Sequence, residues 1–295
     1  MHFQHAAIRQ SFGRASAGYD AVAALQRWCE DALLDQLDFQ KSAPQRILDL
    51  GCGTGRGSAL LKERFPQAQV IALDLALPML RTAATRQRWR RRFDRVCAQA
   101  EALPLAAQSV DLVWSSLCLQ WSTDLPRVWA EVRRVLRPGG MLLLATLGAQ
   151  TLRELRQSWA VVDARPHVHG FADLAWLGDG LLRAGFRDPV LEREIQVRHY
   201  SDALQLMREL KQLGAHNLHP ERARGLTGRQ ALARMTAAYE SQRTAAGLPA
   251  TWEIHFAHAF GPADGQPLRE HGGKGEIASF SVSGLLHRWR QRRGG

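Results

Sequence analysis

Between residues 46 and 147 the chain alternates two patterns of apolar positions. Short unbroken apolar runs, typical of strands buried on both faces, are followed by segments in which apolar residues recur every three or four positions. This alternation predicts an α/β fold in which helices cover both faces of a mostly parallel sheet. The predicted strands are 46–50, 69–74, 94–98, 110–115 and 140–147, and the predicted helices are 57–65, 77–87 and 125–136.

The patterns on either side of this region add helices and two more strands. Residues 1–45 contain two segments with helical periodicity, which predict two helices. Residues 148–187 predict a long helix, a loop and a second helix that ends near Gly185. A strand is predicted near 188–199, then helices around a loop, and then a last strand at 252–260. We expect that last strand to pair antiparallel at the sheet edge, which gives a seven-stranded, Rossmann-like sheet.

These patterns divide the chain into four regions. Residues 1–45 are expected to close a ligand site, residues 46–147 to form the ligand-binding core, and residues 148–260 to complete the sheet and carry a helical lid. Residues 261–295 are rich in Gly, Arg and His, so we expect a mostly disordered tail with one short helix at 284–292.

A glycine-rich turn follows the first strand and carries the most specific signal in the sequence. Gly51, Gly53 and Gly55 allow positive φ and close approach of a ligand to the backbone, and the next helix offers free N–H groups. A dinucleotide fingerprint requires a glycine where Arg56 stands. Asp49, two residues before the first glycine, is suited to an amino group and not to a phosphate.

A second carboxylate, Asp74, ends the next predicted strand, where its two oxygens can accept the hydroxyls of a ribose. An ammonium group at one end and a ribose at the other describe S-adenosylmethionine. The sequence resembles class I S-adenosylmethionine-dependent methyltransferases in the DxGxGxG motif from Asp49 to Gly55 and in Asp74. This resemblance implies S-adenosylmethionine as the cofactor, bound by Asp49, Gly51, Cys52, Gly53, Gly55, Asp74, Leu75, Met79, Gln99, Ala100, Glu101 and Ser115.

The carboxyl ends of parallel strands meet at one edge of the sheet, which brings these segments together. Residues 100–105 resemble the family segment that flanks the adenine. Many relatives have an aspartate two positions before Glu101; here Gln99 stands there, and its amide can still receive the adenine amino group.

Composition limits the class of protein. A chain of 295 residues that is 45% hydrophobic can bury a substantial core. Its four cysteines form no CxxC pair and no secretory leader is evident, so we expect free thiols and a cytoplasmic location. The longest apolar runs are shorter than the roughly 20 residues that span a bilayer, so no membrane association is expected.

The net charge of +11 suits contact with acidic surfaces but does not identify them. The densest cluster of arginines surrounds Trp89, where a solvated helix end and a docking patch are both open interpretations. It comprises Arg86, Arg88, Arg90, Arg91, Arg92 and Arg95.

Three pairs of histidines raise the question of a metal. They are His167 with His169, His216 with His219, and His255 with His258. None has a nearby cysteine or carboxylate that completes a ligand set, so no metal site is expected.

Four segments outside the glycine motif resemble malonyl-acyl carrier protein O-methyltransferases, a family of biotin synthesis. They are Phe12–Ala15 through Tyr19 with Leu25–Arg27; Trp114–Ser115 with Gln120–Trp121; Ala160–His167; and Met207–Lys211 with Gly214–Ala215 and Leu218–His219. The resemblance extends from about residue 5 to residue 260. It implies methylation of the free carboxylate of a malonyl group carried on the phosphopantetheine arm of acyl carrier protein.

A malonyl carboxylate is already ionised near neutral pH, so this reaction requires alignment and no general base. An arginine is suited to hold one carboxylate oxygen while the other remains free to react. We expect Arg165 to be that arginine, with Tyr19 and His167 helping to orient the malonyl group. Tyr19 is also placed to fold over the cofactor, although a structural tyrosine explains it equally well. Four basic residues on the inserted helices are candidates for contact with the acidic carrier: Arg153, Arg156, Arg208 and Lys211.

Three other functions are also compatible with the sequence. The chain could be a methyltransferase that acts on a free small acid, an assembly factor that binds the cofactor without transferring methyl groups, or an RNA methyltransferase. The last class would show strongly salt-dependent RNA binding, but the sequence contains no recognisable RNA-binding module, so no nucleic-acid partner is expected.

Overall fold

A seven-stranded sheet forms the centre of the computed structural model, which describes residues 5–39, 43–122, 124–215, 217–218, 227–262, 268–272 and 275–279. The strand order is β3-β2-β1-β4-β5-β7-β6, and β1 to β5 run parallel. This confirms the predicted α/β fold. The strands are β1 Arg46–Leu50, β2 Gln69–Asp74, β3 Asp94–Cys97, β4 Val110–Ser116, β5 Leu136–Leu147, β6 Arg187–Tyr200 and β7 Leu248–Phe260.

Ten helices cover the sheet within the described residues, and two separate apolar cores lie beneath them. One core contains side chains of α3, α4, α5, α7, α9 and α10, and the other contains side chains of α6 and α8 on the opposite face. The helices are α1 His5–Ala15, α2 Tyr19–Val22, α3 Ala24–Gln36, α4 Arg56–Arg64, α5 Leu77–Thr85, α6 Leu125–Val135, α7 Arg153–Ala160, α8 Leu174–Arg183, α9 Ala203–Gln212 and α10 Arg229–Glu240.

The prediction that the last strand lies at the sheet edge is wrong. β7 pairs antiparallel with β5 on one side and with β6 on the other, so β6 is the edge strand. Burial explains the order, because β7 is buried along most of its length whereas β6 alternates exposed and half-buried positions. A strand rich in charged residues tolerates solvent on its open side, whereas a strand that buries nearly all of its side chains needs a neighbouring strand on both sides.

The sequence overestimated the helix that follows β5. Residues 148–152 form a turn in which Gly148 N donates to the Glu253 carbonyl at 2.8 Å and Leu152 N donates to the Thr251 carbonyl at 2.7 Å. The helix α7 therefore begins only at Arg153. The turn ties the end of β5 to the start of β7, at the edge of the sheet where ligands of parallel folds bind.

The two ends of the chain also differ from expectation. The N-terminal region has α1, the single turn α2 and α3 where two helices were predicted. Within the tail, strands β8 Leu268–Gly272 and β9 Gly275–Ser279 form an antiparallel hairpin where disorder was predicted. The predicted helix at 284–292 lies outside the described residues.

Candidate active site

The glycine turn between β1 and α4 has the backbone that the sequence predicts. Gly51, Gly53 and Gly55 have φ values of +78°, +52° and +79°. Gly51 N and Cys52 N both donate to the Leu73 carbonyl, at 2.8 and 2.9 Å, which fixes the start of the turn against β2. The turn therefore has a defined position relative to β1 and β2, and its conformation favours glycine at all three positions.

The three glycines have different surroundings. A Cβ atom at Gly51 would lie 2.3 Å from Cys118 Sγ, and one at Gly55 would lie 2.6 Å from the Ala83 Cβ atom. A Cβ atom at Gly53 would meet no atom within 4 Å. Gly51 and Gly55 are therefore packed against the protein, whereas Gly53 presents its backbone to open space. Gly53 is the position at which a ligand can approach the turn closely.

Asp74 joins this turn to the end of β2. Its Oδ2 atom accepts a hydrogen bond from Gly53 N at 2.9 Å, and its Oδ1 atom accepts one from Ala76 N at 2.7 Å. Burial raises the pKa of this carboxyl, and these backbone donors oppose the rise. Each carboxylate oxygen can accept more than one hydrogen bond, so both can still bind the hydroxyls of a ribose. Asp74 therefore remains suited to bind the ribose of an adenosine ligand.

Asp49 lies beneath the turn and not on its open side. It is 2% exposed, and its Oδ2 atom accepts a hydrogen bond of 2.5 Å from Ser58 Oγ in α4. Burial, opposed by the Ser58 bond and reinforced by Glu30 and Asp74, raises its pKa to about 7. The carboxylate therefore stands close to its titration point near neutral pH. We predict that it acts on a ligand cation above the turn through its charge.

Glu30 is a residue of this site that sequence reasoning missed. A Cβ atom placed on Gly57 would lie 3.3 Å from Asp49 Oδ2, 3.3 Å from Trp114 Nε1 and 3.5 Å from Glu30 Oε1, so these three polar atoms converge beside α4. Trp114 Nε1 is buried and has no hydrogen-bond partner. The other oxygen of Glu30 accepts from Arg56 at 2.8 Å. No spacing signal separates Glu30 from the other polar residues of α3.

Cofactor affinity should rise with pH below about 7. Asp49, with its pKa raised to about 7, is largely protonated below that value, and only its anion attracts the ammonium group of the cofactor. We therefore expect the dissociation constant of S-adenosylhomocysteine to fall by up to about tenfold per pH unit from pH 5.5 to 7, with proton release on binding. Calorimetry in buffers of different ionisation enthalpy measures both quantities.

Two comparisons separate Asp49 from other titrating groups. Asp49→Asn should have a nearly constant affinity across this pH range. Methylthioadenosine, which lacks the ammonium group, should show little pH dependence with either protein. The same pH slope in Asp49→Asn and in the unmodified protein would contradict the role assigned to this carboxylate.

The N-terminal helices are fastened to the glycine turn. Thr54 Oγ1 donates to Asp20 Oδ1 at 2.7 Å, and Arg86 forms an ion pair with the other carboxylate oxygen of Asp20. Arg86 Nε also donates to the Thr54 carbonyl at 2.9 Å. Asp20 therefore holds α2 against the turn, a role that no sequence pattern indicated because the two segments are far apart in the chain.

Tyr19, the first residue of α2, is placed over the same region. Burial first, and then the nearby carboxylates Glu30, Asp74 and Asp20, raise its pKa. Its neighbour Asp20 is bonded to Thr54, so Tyr19 lies close to the glycine turn. The folding of the N-terminal segment over the cofactor stays a prediction. The role of Tyr19 in orienting a substrate remains a prediction.

Of the remaining residues predicted to bind the cofactor, some are buried and others are accessible to solvent. Ser115 is buried and donates to the Leu50 carbonyl at 2.9 Å, and Glu101 is buried and accepts from Ser122 Oγ at 2.9 Å. Glu101 also lies 3.4 Å from His5 Nε2 of α1. These two side chains hold the strand ends in place, as do Cys52 and Met79, which are buried in the apolar core. Leu75, Gln99 and Ala100 are partly or fully exposed.

The segment expected to cover the substrate is an ordered loop between α7 and α8. His167 stacks on Trp159 with ring centroids 3.9 Å apart, and its Nε2 atom lies 2.9 Å from Asp163 Oδ1. Asn217 Nδ2 donates to the Pro166 carbonyl at 2.6 Å. Arg165 N donates to Asp163 Oδ1 at 2.9 Å, and the residue is exposed. The loop backbone is therefore fixed on both sides of Arg165.

The mouth of the site is completed by contacts between distant segments. Trp121, after β4, lies edge-on to both Phe12 of α1 and His169, with ring centroids 5.3 and 5.2 Å apart. Ser11 Oγ donates to the Gly214 carbonyl at 2.9 Å. The structure thus gathers α1, the loop after α7 and the end of α9 around the carboxyl ends of the central strands.

Comparison with known proteins identifies the family. A family model described as a methyltransferase domain matches residues 48–144. A malonyl-[acyl-carrier protein] O-methyltransferase of Laribacter hongkongensis is 48% identical over 281 residues, which cover 92% of this chain and 94% of the relative. The chain belongs to that family. The Gallionella capsiferriformans member is 46% identical, covering 87% of this chain and 91% of the relative, and a Coxiella burnetii member is 40% identical, covering 86% and 87%.

Solved structures of more distant proteins share the fold. The Bacillus subtilis YcgJ protein superposes with a TM-score of 0.58 at 14% identity, and the match covers 80% of this chain and 99% of that one. A phosphoethanolamine N-methyltransferase of Haemonchus contortus gives a TM-score of 0.50 at 20% identity, with 79% and 52% covered. At these identities the likeness shows the fold alone. Membership in the O-methyltransferase family means that S-adenosylmethionine is the cofactor, as predicted from the sequence.

The four basic residues predicted to contact a carrier protein differ in their exposure and in their partners within the protein. Arg156 donates to the Thr151 carbonyl at 2.7 Å and to the Ala149 carbonyl at 3.1 Å, and burial lowers its pKa, so it supports the turn before α7. Arg153 is paired with Glu154. Arg208 and Lys211 on α9 are exposed.

The arginine cluster after α5 is not one uniform basic patch. Arg86 is paired with Asp20, Arg91 is paired with Glu63, and Arg95 donates to the Leu80 carbonyl. Trp89 is 78% exposed, with Arg90 over its ring at 5.2 Å. Half of the cluster thus has a structural role, and the remainder surrounds an exposed tryptophan.

Within the part of the chain that the structure describes, neither a metal site nor a membrane-spanning helix is found. No group of three His, Cys, Asp or Glu residues there is arranged to hold a metal ion, and no helix there has the length and hydropathy needed to cross a bilayer. Of the predicted histidine pairs, His216 and His219 lie outside that part. His255 is fully buried beside Glu253, with Nε2 and Oε1 3.2 Å apart.

Proposed function

We propose that this chain transfers a methyl group from S-adenosylmethionine to the free carboxylate of a malonyl thioester on acyl carrier protein. The product would be the malonyl-carrier methyl ester that enters biotin synthesis. The observation that carries the proposal is the similarity to enzymes of that name across the sheet, the N-terminal helices and the lid together. A shared sheet alone would not select the substrate, because substrate choice depends on the segments that cover the strand ends.

The residues present fit the cofactor. The open side of Gly53, the two oxygens of Asp74 and the negative charge of Asp49 match a backbone approach, a ribose and an ammonium group, respectively. When bound there, S-adenosylmethionine supplies an electrophilic methyl group attached to a sulfonium sulfur. The turn and the end of β2 orient that ligand from below, while Tyr19 and α2 shield it from above. Both sets of residues act by positioning.

The chemistry requires no acid or base from the protein. A carboxylate oxygen of the substrate forms the new C–O bond, the S–C bond breaks with its electron pair remaining on sulfur, and no proton moves. A cation and an anion become two neutral groups, so exclusion of water should favour the reaction. Closure of the mouth by α1 and by the loop after α7 provides that exclusion.

Arg165 is the proposed partner of the carboxylate oxygen that does not react. It lies in the loop fixed by Asp163 on one side and by the bond between Asn217 and Pro166 on the other. Its backbone is therefore anchored while its side chain is exposed. A guanidinium group that held both oxygens would reduce the nucleophilicity of the carboxylate, so a single charge-assisted bond is expected. His167, stacked on Trp159, is proposed to orient the malonyl group beside it.

Arg165→Gln should lower kcat/KM for malonyl-carrier by roughly 10- to 100-fold, because it removes one charge-assisted hydrogen bond worth about 1.5–3 kcal/mol. The dissociation constant of S-adenosylhomocysteine should not change. Steady-state kinetics and equilibrium binding measure the two effects. Arg183→Gln is the matched control, since Arg183 is an exposed arginine of α8 whose ion pair with Asp179 lies within the helix. Equal losses in the two variants would reject the assignment.

We propose that the acidic carrier protein docks on α9. Arg208 and Lys211 are exposed there, and the end of this helix is joined to α1 at the mouth of the site through Ser11 and Gly214. A carrier bound at this position would present its arm to the strand ends. Complementary charge should mainly raise the association rate and make it salt-dependent.

We also propose that the protein is located in the cytoplasm. Its four free cysteines are compatible with that location.

A comparison of acceptors tests the proposed substrate. Malonyl-carrier, malonyl-CoA and free malonate are each incubated with S-adenosylmethionine, and methyl transfer is followed from a labelled methyl group. The proposal expects the highest kcat/KM for the carrier-bound substrate. A preference for free malonate would identify a small-acid methyltransferase, and tight cofactor binding with no transfer to any acceptor would identify a non-catalytic binding protein.

A further inference from the structure

A cavity of about 660 Å³ opens beside the carboxyl ends of β4 and β5. Its floor includes Thr146 of β5 and Gln120, which follows β4, and its walls include Phe171 and Trp176. The volume is in the range of small-molecule sites, roughly 300–1,000 Å³. Gln120 precedes Trp121, the residue that contacts α1 and His169 at the mouth of the site. The cavity therefore adjoins the region where methyl transfer is proposed to occur.

The charges around this cavity are unfavourable for an anion. No arginine, lysine or histidine is among its described lining residues, and two aspartates are. Those aspartates cap the two helices that begin there: Asp124 accepts from Arg127 N in α6 at 3.1 Å, and Asp173 accepts from Trp176 N in α8 at 2.7 Å. The helix N-termini are thus already occupied by carboxylates. A malonyl carboxylate or a phosphate would be repelled here.

The same cavity offers partners for neutral amides between apolar walls. Gln120 Nε2 donates one hydrogen bond to the Leu117 carbonyl at 2.8 Å, which leaves its second N–H available, and Gln120 Oε1 accepts from Thr146 Oγ1 at 3.3 Å. The Thr146 oxygen can still accept. One donor and one acceptor side by side suit a secondary amide, and the surrounding leucine, phenylalanine and tryptophan side chains suit an aliphatic chain.

We propose that this cavity binds the neutral, amide-containing arm of the thioester substrate, and that the carboxylate is held elsewhere, on the side of Arg165. The inference rests on the proposed function, since it assigns a place to the arm of that substrate. Gln120 is a specificity-determining residue that pairs with an amide of the arm. The thioester end passes Trp121 to reach the methyl group, so arm and carboxylate occupy regions of opposite electrostatic character.

The test compares two malonyl thioesters, one with the arm and its carrier and one with neither. Malonyl-carrier bears the full arm, whereas the malonyl thioester of ethanethiol contains no amide. Gln120→Leu removes the polar amide at similar volume, and Ala172→Phe narrows the cavity from its half-buried wall. Each variant should raise KM for malonyl-carrier by roughly tenfold, change KM for the short thioester by less than about twofold, and bind S-adenosylhomocysteine normally.

Val190→Phe is the matched control, because Val190 lines a second cavity at the other end of the sheet, with Gln45 and Pro138. It should leave both KM values unchanged. Equal losses with the two acceptors in Gln120→Leu and Ala172→Phe, or no loss with either, would overturn the assignment. Absence of turnover by the unmodified protein with both acceptors would instead reject the proposed function, so the two failures are distinguishable.

Discussion

Gly55→Ala should destabilise the protein by about 3 kcal/mol. The substitution adds a Cβ atom that would lie 2.6 Å from the Ala83 Cβ atom and 3.0 Å from its Cα atom, at a residue with φ of +79°. The left-handed conformation costs an L-residue roughly 1–2 kcal/mol, and overpacking against a backbone that cannot move aside costs roughly another 1–3 kcal/mol. Urea unfolding measures the loss. If the free energy of unfolding fell by less than about 1 kcal/mol, α5 would have to shift to accommodate the added Cβ atom, contrary to this expectation.

Gly53→Ala is the matched substitution in the same turn. It also introduces an L-residue at positive φ, +52°, but its Cβ atom would meet no protein atom within 4 Å. We expect a stability loss of about 1–2 kcal/mol, from the left-handed conformation alone. We also expect a loss of cofactor affinity of at least tenfold, because the added methyl group projects into the space assigned to the ligand. If Gly53→Ala bound S-adenosylhomocysteine normally, the ligand could not lie above the turn as proposed.

Asp74→Asn should weaken S-adenosylhomocysteine binding by about 100-fold. The carboxylate is proposed to accept hydrogen bonds from two ribose hydroxyls, and a charge-assisted hydrogen bond contributes roughly 1.5–3 kcal/mol. The substitution should therefore reduce the binding free energy by about 3 kcal/mol. An amide leaves only one acceptor oxygen and places an N–H group against Gly53 N or Ala76 N, which both donate to this side chain. Equilibrium binding by calorimetry measures the effect.

A ligand lacking the 2′ and 3′ hydroxyls separates ribose recognition from damage to the turn. The unmodified protein should discriminate strongly against the dideoxy analogue, whereas Asp74→Asn should bind both ligands with similar weak affinity. Asp94→Asn serves as the control, because Asp94 is an exposed carboxylate of β3 whose partner is the Gln69 amide. Retained discrimination in Asp74→Asn would place the ribose elsewhere.

The parallel half of the fold was predictable because its signal is local. The strand 69–74 and the first strand agree with β2 and β1 residue for residue, since both are short apolar runs that end at a polar residue or a glycine. The order of β6 and β7 was missed although a signal existed. The glutamates and arginines of β6 indicate an edge, whereas β7 contains a single carboxylate and no arginine or lysine, which favours an interior position.

The site was predicted in its residue types more than in its geometry. The sequence placed Asp49 and Asp74 at neighbouring strand ends, but a one-dimensional pattern does not show which carboxylate faces the ligand. The structure turns Asp49 towards Ser58 beneath the turn and leaves Asp74 at its rim. Asp20 and Glu30 were missed for a related reason. Their partners Thr54 and Arg56 are more than 20 residues away, and only the packing of α2 and α3 on the turn brings them together.

Two strand-end carboxylates are proposed to hold a methyl donor while the covering helices deliver an ionised malonyl group to it. Mass analysis of the carrier arm after incubation with malonyl-carrier, acetyl-carrier and S-adenosylmethionine tests this proposal. We expect the mass increase of one added methyl group on the malonyl arm, lost in Asp74→Asn at limiting cofactor, and no increase on the acetyl arm. A methyl group on acetyl-carrier or on the carrier polypeptide, or an unmodified malonyl arm, would disprove the proposal.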